Sequence, residues 1–387
     1  PNRVYESDGT TLSLAWTAGV SNNTESIAWG DWDGDGDLDL AVGNYDQANL
    51  VYENTGGALT LDWTSTETSK TESIAWGDWD GDGDLDLAVG NYAQPAEVYE
   101  NTGGALSLDW SSTENDNTTI LAWGDWDGDG DLDLAVGNDG ANRVYENSGG
   151  ALTLDWTSTE TDSTTGLAWG DWDGDGDLDL AVGNYSQANR VYENTGGALT
   201  LDYSSTETDS TLEVAWGDWD GDGDLDLAVG NDGQANRVYD NTGGVLTAIW
   251  TSTETDGTVS VAWGDWNGDG DLDLAAGNNG ANRVYDNTGG QLALEWSSTE
   301  TDQNEIVAWA DWDGDGDLDL AAGNWTNNRV YDNTGGALSA SAVWSSTESE
   351  RTYTMEWGDW DGDGDLDLAV GGDGPPVRVY ENTGGNL

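Results

Sequence analysis

A ten-residue string, Asp-Trp-Asp-Gly-Asp-Gly-Asp-Leu-Asp-Leu, begins at Asp31 and returns at Asp78, Asp125, Asp171, Asp218, Asp311 and Asp359, with an eighth copy at Asp265 that carries Asn267. Successive starts lie 46 to 48 residues apart, too close for independent domains and matched to the length of a four-stranded blade. A unit of that size cannot bury an apolar face by itself, so neighbouring units must stack. The whole chain, residues 1–387, therefore reads as a single domain, although its length alone suggests two or three.

Within one unit four short segments read as strands: Ser26 to Trp32, Leu38 to Val42, Asn49 to Glu53 and Ala58 to Thr64, here called A to D. Leu38, Leu40 and Val42 alternate with Asp39 and Ala41, and Leu59, Leu61 and Trp63 alternate with polar residues, which is the two-residue period of a strand. Gly-rich breakers separate the segments. The expected fold is all-β: an eight-bladed propeller of four-stranded antiparallel blades, closed by pairing of the N- and C-terminal segments. Strands A, B and C of the last blade come from residues 353 to 381, and Leu12 to Thr17 supply its strand D. Strand C occurs nine times, because Arg3-Val4-Tyr5-Glu6 precedes the first strand D and Arg378-Val379-Tyr380-Glu381 follows the last strand B. The surplus copy is either a remnant of a continuous repeat array or a strand that pairs with a neighbouring chain.

The repeated string is a metal-loop candidate. Carboxylates at positions 1, 3, 5 and 9 and the main-chain carbonyl of position 7 form an all-oxygen set suited to a hard divalent ion. Gly34 and Gly36 give the loop freedom to wrap tightly. Calcium fits better than magnesium, which demands a tighter octahedron. The candidate residues are Asp31, Asp33, Asp35, Asp37 and Asp39 in the first copy, then Asp78, Asp80, Asp82, Asp84 and Asp86, and then Asp125, Asp127, Asp129, Asp131 and Asp133. The fourth and fifth copies offer Asp171, Asp173, Asp175, Asp177 and Asp179, and Asp218, Asp220, Asp222, Asp224 and Asp226. The last three offer Asp265, Asn267, Asp269, Asp271 and Asp273, then Asp311, Asp313, Asp315, Asp317 and Asp319, and finally Asp359, Asp361, Asp363, Asp365 and Asp367. The amide oxygen of Asn267 can still ligate, so about eight calcium ions are expected, one per blade. An EF-hand is excluded, because its twelfth position should be a bidentate Glu and here it is Val42. Two carboxylates about 5 Å apart repel by roughly 3 kcal/mol at an effective dielectric near 20, so loops without a cation should strain the fold.

Asp-x-Asp-Gly-Asp-Gly-x-x-Asp-Leu between two strands, followed by Ala41-Val42-Gly43-Asn44, resembles the FG-GAP repeat of integrin α-subunit propellers and of related bacterial and fungal proteins. The resemblance covers essentially the whole chain. It departs from the family pattern in placing Trp29-Gly30 where the family has Phe-Gly, and in carrying Trp32 at position 2 of the loop. Integrin propellers have seven blades with calcium in only some, so the count of eight rests on the repeats themselves. The resemblance implies a calcium-stabilised adhesion or recognition module.

Charge bounds the partners. Seventy-seven acids against nine bases give a formal net charge of −68, which excludes nucleic acid and anionic membrane surfaces. Even eight bound divalent ions would leave the chain strongly acidic, as in a saline setting where salt screens self-repulsion. Without cysteine or histidine there is no thiol nucleophile, no zinc-thiolate site and no Ser-His dyad, and the aspartates recur eightfold in metal-ligand spacing. An enzyme is not expected. No apolar run is long enough to span a membrane, and Pro1 at the start fits a chain processed from a longer one. An extracellular or cell-surface location follows from loops that fill reliably only where calcium is plentiful.

The metal loop and the Asn-Thr-Gly-Gly turn scarcely vary between repeats, whereas the B-to-C and D-to-A connections do. Antiparallel order puts both variable sets on the face opposite the metal loops. That face carries Tyr45, Tyr92, Asp139, Tyr185, Asp232, Asn279 and Trp325, a mixture of aromatic and polar residues suited to a protein or carbohydrate ligand. Asn22, Asn117, Asn184 and Asn324 open glycosylation sequons in the same connections. Trp29, Trp32 and Trp63 recur in nearly every unit and are expected to pack between blades. Arg143, Arg190 and Arg237 are expected to neutralise nearby carboxylates, with Leu50 and Glu97 replacing them in two blades. The expected function is calcium-dependent recognition of a protein or glycan. The alternatives are a lectin with repeated sugar sites and a self-assembling repeat scaffold.

Overall fold

The computed structural model describes residues 12–373 and 376–382. They form eight four-stranded antiparallel sheets and no helix. β1 (Ser13–Thr17) comes first; β2 (Thr24–Gly30), β3 (Asp39–Asn44), β4 (Leu50–Asn54) and β5 (Leu59–Thr64) make blade 1 in simple meander order. Six further blades follow, and the chain ends in β30 (Thr352–Gly358), β31 (Asp367–Gly372) and β32 (Arg378–Glu381). Blade 8 takes its strand D from β1, which runs antiparallel to β32 with Ser13 opposite Glu381 and Thr17 opposite Arg378. The expected ring closure is thus present. The surplus segment Arg3 to Glu6 lies outside the described residues.

The core is divided among the seams between blades. In one of its eight clusters Trp32, Ala41 and Val51 of blade 1 pack against Ile74, Leu87, Val89, Tyr99 and Leu106 of blade 2. Alternate residues of each strand therefore face opposite neighbours, and a strand buried on both sides carries apolar residues in succession. Trp63 lies edge-on to Tyr99, with ring centroids 5.1 Å apart, and its indole N–H donates to Leu106 O in the next blade. Trp76 reaches the other way: its Nε1 donates to Ala28 O, and its ring occupies the space that a Cβ on Gly30 would enter, 2.8 Å from Cδ1. The Trp-Gly pair is thus a wedge and its seat, and the tryptophans are packing residues as expected.

Three details differ from the sequence reading. Strand A ends at Gly30 rather than Trp32, because the Trp32 N–H turns to donate to the buried Asp39 Oδ2. Leu61 does not share the buried side with Leu59: strand D is the outer edge, a bulge shifts the register between Val51 and Tyr52, and Leu61 is half exposed. In blade 7 strand D shrinks to Trp344–Ser345, since two extra residues between Leu338 and Trp344 break its ladder.

Candidate metal centre

Each loop lies between strands A and B on one end of its blade. Gly34 and Gly36 have φ of 75° and 99°, the left-handed region that branched or bulky residues resist. The main chain aims the carboxylates. In the first loop, Gly36 N–H donates to Asp31 Oδ2, Asp35 N–H to Asp33 Oδ1 and Asp37 N–H to Asp35 Oδ1, all within 2.9–3.1 Å. Asp39 is fully buried and accepts from two main-chain donors, Asn54 N–H at Oδ1 (2.7 Å) and Trp32 N–H at Oδ2 (3.0 Å). The Asp37 side chain instead accepts from Gly56 N–H in the C-to-D turn, at 2.7 Å. Position 7 thus ties the loop to that turn, while positions 1, 3 and 5 each use one oxygen in these bonds and have a second, and position 9, bonded at both oxygens, has further lone pairs.

Carboxylate oxygens of Asp31, Asp33 and Asp39 lie within 4.8 Å of one another, and the described residues hold seven such groups, including those of the Asp78, Asp125, Asp171 and Asp218 loops. The residues fit a cation by a further test. Asp31 Oδ1 is buried without a hydrogen-bond partner, as are Asp78, Asp218, Asp311 and Asp359 Oδ1. Burial pushes the Asp39 carboxyl up to about 7 against the pull of its two N–H donors, with neighbouring aspartates adding to the rise. Asp86, Asp179, Asp226 and Asp273 also stand near 7, Asp133 near 6, and Asp319 and Asp367 near 8, each raised chiefly by burial. Such a cluster lacks a counter-charge, and a divalent ion supplies one.

Two sets of residues escaped the sequence reading. Asn101 of blade 2 donates through Nδ2 to Trp32 O, inside the loop of blade 1, at 2.5 Å. Asn54, Asn147, Asn194, Asn241, Asn287, Asn333 and Asn382 repeat this grip on the preceding blade, so the eight loops are linked in a closed cycle. Their near-invariance in the Asn-Thr-Gly-Gly turn was the available signal. The second set is the acid one residue earlier. Glu53 is raised by burial and by Asp62, Asp33 and Asp35, and in blade 6 Asn267 Nδ2 donates to Asp286 Oδ1 at 2.5 Å. Asn267 Oδ1 still accepts from Asp269 N–H as its aspartate counterparts do.

The opposite end carries the variable connections, as expected. Tyr45, Tyr92, Asp139, Tyr185, Asp232 and Asn279 each form an isolated β-bridge to the connection entering the next blade, and Trp325 N–H donates to Gln303 O. They stand one to a blade in blades 1 to 7. Lys70 Nζ sits 5.2 Å from the Tyr45 ring and 5.7 Å from that of Tyr92, while Arg351 stacks 3.9 Å from Trp325 and pairs with Glu305. Tyr185, 44% exposed, has no such cation among the described residues. Arg143, Arg190 and Arg237 pair with Asp116, Asp162 and Asp209. A cavity of about 730 Å³ opens at the seam of blades 7 and 8, between Leu12, Leu14 and Trp344.

A profile of the FG-GAP-like repeat matches residues 31–89, 78–136, 125–182, 171–229, 218–276, 265–322 and 311–370. No curated protein matches the chain by sequence. Among solved structures, Saccharomyces cerevisiae Sqt1 is similar with a TM-score of 0.75 at 13% identity, covering 97% of this chain and 100% of that one. Chaetomium thermophilum Sqt1 bound to the N-terminus of the ribosomal protein L10 gives 0.68 at 17%, over 96% and 100%. The V. cholerae biofilm matrix protein Bap1 gives 0.67 at 13%, over 97% and 91%. At these identities the likeness is one of fold alone. The repeat profile spans most of the chain, and the chain belongs to the FG-GAP-like repeat family.

Proposed function

We propose that this protein is a calcium-stabilised, extracellular binding propeller, not an enzyme, which presents the face opposite its metal loops to a protein partner. One observation carries this reading: the eight loops are nearly identical and each is gripped by the next blade, while the connections at the other end vary from blade to blade. Calcium is the ion best suited to such loops, held by positions 1, 3, 5 and 9 and the position 7 carbonyl. When bound it supplies the counter-charge that the buried aspartates lack. Loops of this kind fill where calcium is abundant, outside cells.

A protein partner is favoured over a glycan because three of the four aromatic residues on the variable face already stack on the chain's own cations. A repeated sugar site would need those rings free. One fold neighbour is solved with a peptide of another protein bound, in keeping with this preference. The test is binding of the calcium-loaded protein to arrays of extracellular proteins and of glycans, with Tyr185→Ala plus Trp325→Ala as the face variant and Thr60→Ala on the outer edge as control. Calcium-dependent binding to a protein, lost in the face variant and kept in the control, is expected. Glycan binding competed by free sugar, or protein binding indifferent to the face variant, would contradict the reading.

A further inference from the structure

Blade 8 has one place for strand C, and the chain contains two sequences that fit it. β32 fills the place, with Leu368 opposite Tyr380, Ala369 opposite Val379 and Val370 opposite Arg378 on one side and β1 on the other. Arg3-Val4-Tyr5-Glu6 repeats its four residues and is separated from Ser13 by six residues, the spacing that joins strand C to strand D elsewhere, as between Glu193 and Thr200. We propose that this place is an exchangeable β-strand site: residues 377–382 occupy it in the described state, and residues 2–7 can take it over, releasing the segment that follows Pro376.

What the place reads is supplied equally by both copies. It buries Val379 completely, sets Tyr380 edge-on to Trp344 with its hydroxyl donating to Glu348, and pairs Arg378 with Glu350. Val4, Tyr5 and Arg3 are the same residues in the same order. Only the flanks differ, and they pull in opposite directions. Asn382 donates through its main chain to Asp367 and through Nδ2 to Trp312 O, whereas Ser7 can repeat the first bond and is too short for the second. At the other flank, Asn2 matches Asn49 and Asn142, whose Oδ1 accepts the N–H at the end of strand B, while the C-terminal copy has Val377.

Chain order favours exchange as well. In the exchanged state residues 2–7 would be joined to β1 through residues 8–12 alone, whereas β32 must close nearly the whole chain to reach it, so the exchanged pairing would cost less loop entropy. Exchange between chains fills no additional place, because each copy brings one place and two strands.

The experiment uses the full chain, which has no cysteine of its own. Val370→Cys is combined with Arg3→Cys in one variant and, as control, with Arg378→Cys in another, and both are oxidised at equilibrium in calcium. The proposal predicts an intramolecular disulfide in both, and, in the Arg3→Cys variant, which keeps Arg378, trypsin cleavage at Arg378 that rises on oxidation over that of the same protein reduced. It also predicts that Asn382→Ser and Ser7→Asn each raise the yield of the 3–370 disulfide. A control that cross-links beside a 3–370 pair that never forms, with or without the flank substitutions, would overturn it.

Discussion

Asp39 and its seven counterparts are asked to do two things: to hold the ends of strand A and strand C through Trp32 and Asn54 N–H, and to face a cation. Asp39→Asn turns one acceptor into a donor against an N–H and removes a ligand charge. We expect loss of one calcium per chain in a titration and about 2–4 kcal/mol of stability. Asp37→Asn, at a residue bound only to the exposed Gly56 N–H, should keep the calcium count and cost about 0.5–1 kcal/mol. Glu356 tests burial away from the loops. It stands where seven blades have Ala, accepts from Trp29 N–H, and is pushed up to about 7 by burial. A raised carboxyl favours the folded state fully below its unfolded value and loses that contribution as pH rises through about 7. In saturating calcium, Glu356→Gln should therefore gain about 2–3 kcal/mol over the wild type between pH 4.5 and 8, measured by denaturant unfolding. A constant difference across that range would contradict the assignment. The loop aspartates were legible because their ligand spacing is local in sequence. Glu53 and Asn54 were not, since only strand pairing brings them back beside a loop about fifteen residues earlier.

Blades were legible as elements because their apolar period and glycine breakers repeat eight times. Their ends were not, because the ends are set by hydrogen bonds to buried side chains: Asp39 takes Trp32 out of strand A. The direction in which one blade holds another was also hidden. Asn101 sits in blade 2 but grips the loop of blade 1, and its Oδ1 accepts from Gly104 and Ala105 N–H in its own turn. Asn101→Ala should cost about 1–3 kcal/mol and weaken calcium at the Asp31 loop more than at its own Asp78 loop. Competition with a metal-sensitive probe in variants reduced to one intact loop would separate the two. Equal weakening at both loops would show that the grip does not reach across the seam. Blade 6 supplies a natural contrast: Asn267 faces Asp286 through its Nδ2, so its site should be the weakest of the eight, and Asn267→Asp should bring it level with the others in the same titration.

At the scale of the molecule the ring is an array of seams, each joined by a tryptophan wedge, an apolar cluster and an asparagine grip, and closed by β1 on β32. Such an array transmits strain around its circumference, so a charge deficit in the loops is a deficit for the whole ring. With 77 acids and nine bases, repulsion acts everywhere, and added salt should stabilise the calcium-free protein more than the loaded one. Ring size and closure were readable from the count of strands. The blade 8 seam was readable only as a surplus, since two equivalent copies of strand C leave the choice to flanking residues. The decisive measurement is calcium stoichiometry with thermal unfolding on metal-stripped protein, followed by near-ultraviolet circular dichroism from the tryptophans. The account predicts seven to eight ions per chain and a large rise in melting temperature as they bind. No binding, or a melting temperature indifferent to calcium, would mean that the aspartate loops are solvated turns and that the ring stands without metal.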